Sequence, residues 1–116
     1  MPITNFKDLV VWQKGMVLVR EIYKITNMLP RTETYILSAQ ITRAAISIPS
    51  NIAEGFKRNG RAEFKQFLKI ADASAAEVET QLLIIQMMYP TVPNDKALPL
   101  TIEIQKMLNK LISGIH

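Results

Sequence analysis

Apolar side chains recur every three or four residues along almost the whole chain, a spacing that predicts helices; strands would alternate every second residue. Over residues 6–28 the recurrence runs through Phe6, Leu9, Val10, Met16, Val17, Val19, Ile22, Tyr23 and Ile25, with Asn5 placed to cap the start and Asp8 in the first turn. Pro30 ends this first helix, because proline lacks a backbone N–H and restricts the residue before it. Thr32 is positioned to cap a second, in which Ile36, Leu37, Ile41, Ala44, Ala45, Ile48, Ile52 and Phe56 form one stripe before Asn59 and Gly60 close it. Pro49 falls inside that stripe and must press on the carbonyl of Ala45. The apolar period nevertheless stays in phase across it, which predicts one helix kinked at Pro49 and not two.

The third helix has the clearest pattern, with Phe64, Phe67, Leu68, Ala71, Ala75, Val78, Leu82 and Ile85 in register and an end near Tyr89. Its centre (Ala71, Ala73, Ser74, Ala75, Ala76) is built of small side chains that let a neighbouring helix come close. Pro90, Pro93, Asn94 and Asp95 mark a loop. Leu100, Ile104, Met107, Leu108, Leu111 and Ile112 then give a shorter fourth helix, with Pro99 suited to its first turn and Gly114 to its end. Short connections between long helices favour antiparallel neighbours, so the predicted fold is all-α: a single up-down-up-down four-helix bundle over residues 1–116.

Composition agrees with one domain. At 116 residues and 48% apolar content, the chain can bury a core of its own and is not disordered. It has no cysteine, which excludes disulfides, thiolate metal sites and cysteine nucleophiles and points to a reducing cytoplasm. Lys14, Arg20, Arg43 and Lys69 interrupt every candidate membrane span, and residues 1–8 do not have the form of a secretory signal. A cytoplasmic protein with no membrane partner is expected.

Catalytic chemistry finds little to stand on. The one histidine, His116, is the last residue, where a positioned base or metal ligand is not expected, and without an internal histidine a di-metal carboxylate bundle cannot be assembled. Glu77 and Glu79 are two apart and so lie on different helix faces. Neither G-x-x-x-x-G-K-[ST] nor G-x-G-x-x-G occurs. The expectation is a non-enzymatic protein with no cofactor and no metal.

The strongest local signal is basic: Lys57, Arg58, Arg61, Lys65 and Lys69 cluster around the turn between the second and third helices. Lys57 and Arg58 suit a helix C-terminus, and Glu54 is placed at i,i+4 to pair with Arg58. Arg61 and Lys65 stand where the helix dipole disfavours cations, by about 0.3–1 kcal/mol each, and have no carboxylate three or four residues away. Lys69 continues their line but has Asp72 at i,i+3. Cations at i, i+4 and i+8 without local counter-charge are what a phosphate backbone engages; the plainer reading is a solvated face, and no aromatic platform for bases is evident nearby. The net charge of +4 permits nucleic-acid binding without requiring it.

A second group, Arg43, Ser47, Asn51 and Glu54, sets polar side chains along one line of an apolar helix. Hydrogen bonds between helices, or to backbone groups freed near Pro49, would explain it; the functional alternative puts Arg43 on an inner surface of an oligomer. Trp12, Met87, Met88 and Tyr89 are read chiefly as packing residues. The first helix is apolar over most of its circumference (Val10, Val11, Val17, Leu18, Val19), more than one bundle seam requires, which argues for self-association.

FKDL at residues 6–9 and VWQK at 11–14, followed by ITRAAISIPSNIAEG at 41–55, resemble the four-helix bundle proteins encoded in intervening sequences of bacterial 23S ribosomal RNA genes. RAEF at 61–64, FL at 67–68, AEVETQL at 76–82 and KMLN at 106–109 extend the resemblance to nearly the whole chain. It implies the same bundle and a homo-oligomer, in that family typically a pentameric ring around a central channel. A related accessory protein of retroelement reverse transcriptases shares the ring and is basic enough to bind nucleic acid. The resemblance therefore implies a homopentamer as partner to itself, with RNA or DNA, or a protein, as the further partner. Several copies would multiply a weak basic patch. The leading expectation is an oligomeric nucleic-acid-binding protein acting through residues 57–69; the alternative is an oligomeric protein-interaction scaffold.

Overall fold

A computed structural model describes residues 3–115 and shows four α-helices: α1 (Val10–Thr26), α2 (Leu37–Phe56), α3 (Arg61–Met88) and α4 (Ala97–Gly114), with short 3-10 turns at Phe6–Asp8 and Arg31–Glu33. His116 lies outside the described residues. α3, at 28 residues, is about 42 Å long at 1.5 Å per residue, and it accounts for the 45 Å long axis of the molecule.

α1 packs on α2 and α4, and α3 packs on the same two helices, so α1 and α3 occupy diagonal corners. Asp72 and Glu79 of α3 meet Asn109 and Gln105 of α4, which sets those helices antiparallel; Ser47 against Ser74 and Gly55 against Phe67 do the same for α2 and α3. Both pairings agree with the expected up-down-up-down order. Leu18, Ile22, Ile41, Ile48, Ile52, Leu68, Leu82, Ile85, Ile104 and Leu108 are fully buried at the shared centre. Burying each contributes about 1.5–3 kcal/mol, so the diffuse apolar core dominates the stability of the fold.

The helix boundaries differ from the sequence expectation at three places. Asn5 does cap a helical turn, its Oδ1 accepting from the Lys7 N–H at 3.0 Å, but that turn is the 3-10 segment before α1. Thr32 caps nothing: residues 31–33 form their own 3-10 turn and α2 starts only at Leu37. Ile36, counted in the α2 stripe, consequently precedes the helix and is 60% exposed. The third difference is the fourth helix, which begins at Ala97, earlier than its apolar stripe suggests, with Pro99 in its first turn.

α2 runs as one helix through Pro49, which is buried. The ring of Pro49 lies over Gly15 of α1, where a built Cβ would sit 3.4 Å from its Cβ and Cδ atoms.

Candidate nucleic-acid interface

The turn between α2 and α3 depends on Gly60, whose φ of 134° is outside the range side-chain-bearing residues adopt readily. Below it the hairpin is closed by aromatic packing. Phe56 and Phe64 meet edge to face at 6.0 Å, and Phe64 and Phe67 lie against Gly55. The rings hold the two helix ends together and so hold the cations that flank them.

Those cations divide in two. Arg58 pairs with Glu54 at 3.4 Å, the expected i,i+4 contact, and its guanidinium also stacks on Phe67, 5.2 Å from the ring centroid. It is therefore engaged within the hairpin. Lys57, Arg61, Lys65 and Lys69 have no carboxylate within ion-pair distance among the described residues. Asp72, the sequence candidate for Lys69, instead accepts from Asn109 of α4 at 3.3 Å. Lys65 is half-buried and the other three are exposed. Gly60 supplies no side-chain cap, so the positive end of the α3 dipole opens among these cations.

Antiparallel packing adds four cations that linear reading missed, Lys7 and Lys14 at the start of α1 and Lys106 and Lys110 near the end of α4. A groove of about 550 Å³ lined by Val10, Val11, Lys110, Leu111 and Gly114 places the start of α1 beside the end of α4, so Lys7 and Lys110 reach the same end of the bundle. Down to the depth of Lys69, eight residues into α3, that end carries nine cations (Lys7, Lys14, Lys57, Arg58, Arg61, Lys65, Lys69, Lys106, Lys110) against three carboxylates (Asp8, Glu54, Glu63), a formal +6. The chain as a whole is +4, so the rest of the bundle carries a formal −2. The up-down-up-down order was the signal that could have found Lys7 and Lys110.

Folding also brings the rings of Phe6 and Trp12 to this end. They contact each other edge to face at 5.4 Å and are half-buried, so they pack more than they present open faces.

The polar line of α2 splits as well. Ser47 Oγ and Ser74 Oγ lie 2.9 Å apart across the α2–α3 seam, and the Asn51 amide donates to both Ser47 Oγ and the Ser47 carbonyl at 2.8 Å. This is the interhelical hydrogen bonding expected of the line, although the carbonyl served is that of Ser47, not the Ala45 group opposite Pro49. Arg43 and Glu54 do not join it: both are exposed, Glu54 turns to Arg58, and Arg43 lines a shallow cleft with Gln40, Ser47, Ser74 and Glu77. Deeper in the bundle the Oε1 of Gln81 is buried without a hydrogen-bond partner. Met87 and Met88, read as packing residues, are exposed, Met87 at 71%, whereas Tyr89 is half-buried and donates to Glu33 at 2.6 Å.

Fold and charge define a small all-α bundle whose surface is polarised, with its net positive charge gathered at one end. The chain belongs to the 23S rRNA-intervening sequence protein family, whose sequence model matches residues 7–110. Among solved structures it is similar to a protein of unknown function from the S23 ribosomal protein family of Bacteroides thetaiotaomicron, with a TM-score of 0.81 and 28% identity over 92% of this chain and 98% of that one. No curated protein matches the sequence. Among the described residues no helix is long and apolar enough to cross a membrane.

Proposed function

We propose that this chain is a cytoplasmic, non-enzymatic homo-oligomer that binds nucleic acid, RNA foremost, through its basic end. The observation that carries the reading is the placement of charge: the end bearing the open N-terminus of α3 is a formal +6, while the rest of the bundle is −2. Lys57, Arg61, Lys65 and Lys69 are the contacts, because none has a carboxylate partner among the described residues and each can release counterions from phosphate. Arg58 positions the hairpin more than it binds, being held by Glu54 and Phe67. One copy offers a small patch. A ring, pentameric in this reading, repeats the patch and raises its avidity for a long polyanion without any new contact.

Binding of labelled RNA and DNA at low and at physiological salt, on protein whose mass is determined by light scattering, tests the reading. An oligomer whose affinity falls steeply with salt supports it; an oligomer with no binding at low salt leaves the second reading, an interaction scaffold. That alternative draws support from the apolar residues exposed on α1 and α3, among them Met16, Val17, Leu83 and Met87.

A further inference from the structure

We propose that the outer face of α1 docks on the outer face of α3 of a second copy of this chain, with Arg20 pairing to the partner copy's exposed carboxylate at position 77. This contact rests on the oligomer proposed above and specifies how its copies meet.

The two faces are matched in shape and in charge. Met16, Val17, Arg20 and Tyr23 lie on the side of α1 turned away from the core, and all are exposed. On α3 the side turned away from the core carries Ala73, Ala76, Glu77, Thr80, Ile84 and Met87, also exposed. Large side chains project from the first face, while the centre of the second is a floor of small ones. Protruding Met16 and Tyr23 can settle against Ala73, Ala76 and Thr80, the arrangement that brings two helices close together.

Charge selects the same pairing. Each face has one central charged group with no ion-pair partner among the described residues: Arg20 on α1, where neighbouring Glu21 is taken by Lys24, and Glu77 on α3. α3 has no cation after Lys69, and Arg43, which lines the cleft beside Glu77, does not pair with it. A partner with an apolar surface around one free cation therefore fits α3, and α1 of a second copy is such a surface. α1 and α3 also stand at diagonal corners, so their outer faces point in opposite directions. A contact between two different faces is head-to-tail: it closes into a ring where each copy is rotated against the last, and runs on as an open filament where it is not.

The test is charge reversal read by light scattering over a range of concentrations. R20E and E77R, both at exposed positions, are each expected to weaken association more than tenfold, and the R20E/E77R double variant to recover it, since the reversed charges attract again. Cysteines give a second readout, because the chain has none of its own. With a short bismaleimide, the R20C/E77C chain is expected to form a ladder of covalent oligomers that neither single cysteine variant forms. An oligomer of unchanged mass in both reversed variants, or cross-linking by one cysteine alone, overturns the contact and leaves the oligomeric reading standing. A wild-type chain that is monomeric at every concentration overturns both.

Discussion

Gly55 of α2 faces Phe67 of α3 so closely that a Cβ built on the glycine would lie 2.5 Å from the phenylalanine Cβ. Neither atom can swing aside, because both are fixed to helix backbone. Gly55→Ala should therefore force α2 and α3 apart and destabilise the fold by about 1–3 kcal/mol, despite the better helix propensity of alanine. Gly15→Ala is the contrast. Its Cβ would meet Pro49 at 3.4 Å, an ordinary contact, so the propensity gain of up to about 1 kcal/mol should survive. Denaturant unfolding of the two variants should move the midpoint in opposite directions.

The hydroxyl pair of Ser47 and Ser74, with the Asn51 amide, is the one side-chain hydrogen bond across the α2–α3 seam among the described residues. Ser47→Ala leaves both the nearly buried Ser74 hydroxyl and the Asn51 amide short of a partner, and should cost about 1–3 kcal/mol. Ser74→Ala alone should cost less, because Ser47 keeps its bond from Asn51. In the double variant the losses should fall short of their sum, and a double-mutant cycle measures the coupling.

Burial raises the Asp72 carboxyl above its ordinary 3.8, with the hydrogen bond from Asn109 acting in the opposite sense. The folded chain holds this proton more tightly than the unfolded chain does, so the ionised group costs stability above the folded-state value, and the cost fades as pH falls through that value. Asp72→Asn removes the charge and keeps an acceptor for Asn109. It should stabilise the protein slightly at neutral pH, the effect being small because solvent screens a partly exposed group, with the advantage lost as the carboxyl takes up its proton at acid pH. Thermal unfolding across that range checks the sign.

Four helices were legible in the chain because an apolar residue every three or four positions is a strong and redundant signal, and Pro30, Gly60, Pro90 and Pro93 punctuate it. The start of α2 was not. Ile36 matches the stripe in phase, but period alone cannot say that residues 31–33 will close a separate turn first. The basic turn could be read because its residues are neighbours in sequence, as could the pairing of Arg58 with Glu54. Lys7 and Lys110 are distant in sequence from that turn and join it only through the up-down-up-down order, which sets the start of α1 and the end of α4 at the same end. Nor does a sequence show that Arg58 will stack on Phe67, or that Asp72 will turn from Lys69 to Asn109, since both depend on which edges of α3 face its neighbours.

The central claim is that nucleic acid is bound at the basic end, and reversal of charge there against an equal reversal elsewhere tests it most directly. RNA affinity as a function of salt should be compared for wild type, for R61E/K65E at the basic end, and for R31E/K96E, which makes the same change in net charge at the opposite end of the bundle. The account predicts that R61E/K65E loses more than about tenfold in affinity and that its salt slope falls by roughly two, while R31E/K96E keeps the wild-type slope. Equal losses in the two variants, or none in R61E/K65E, would contradict it.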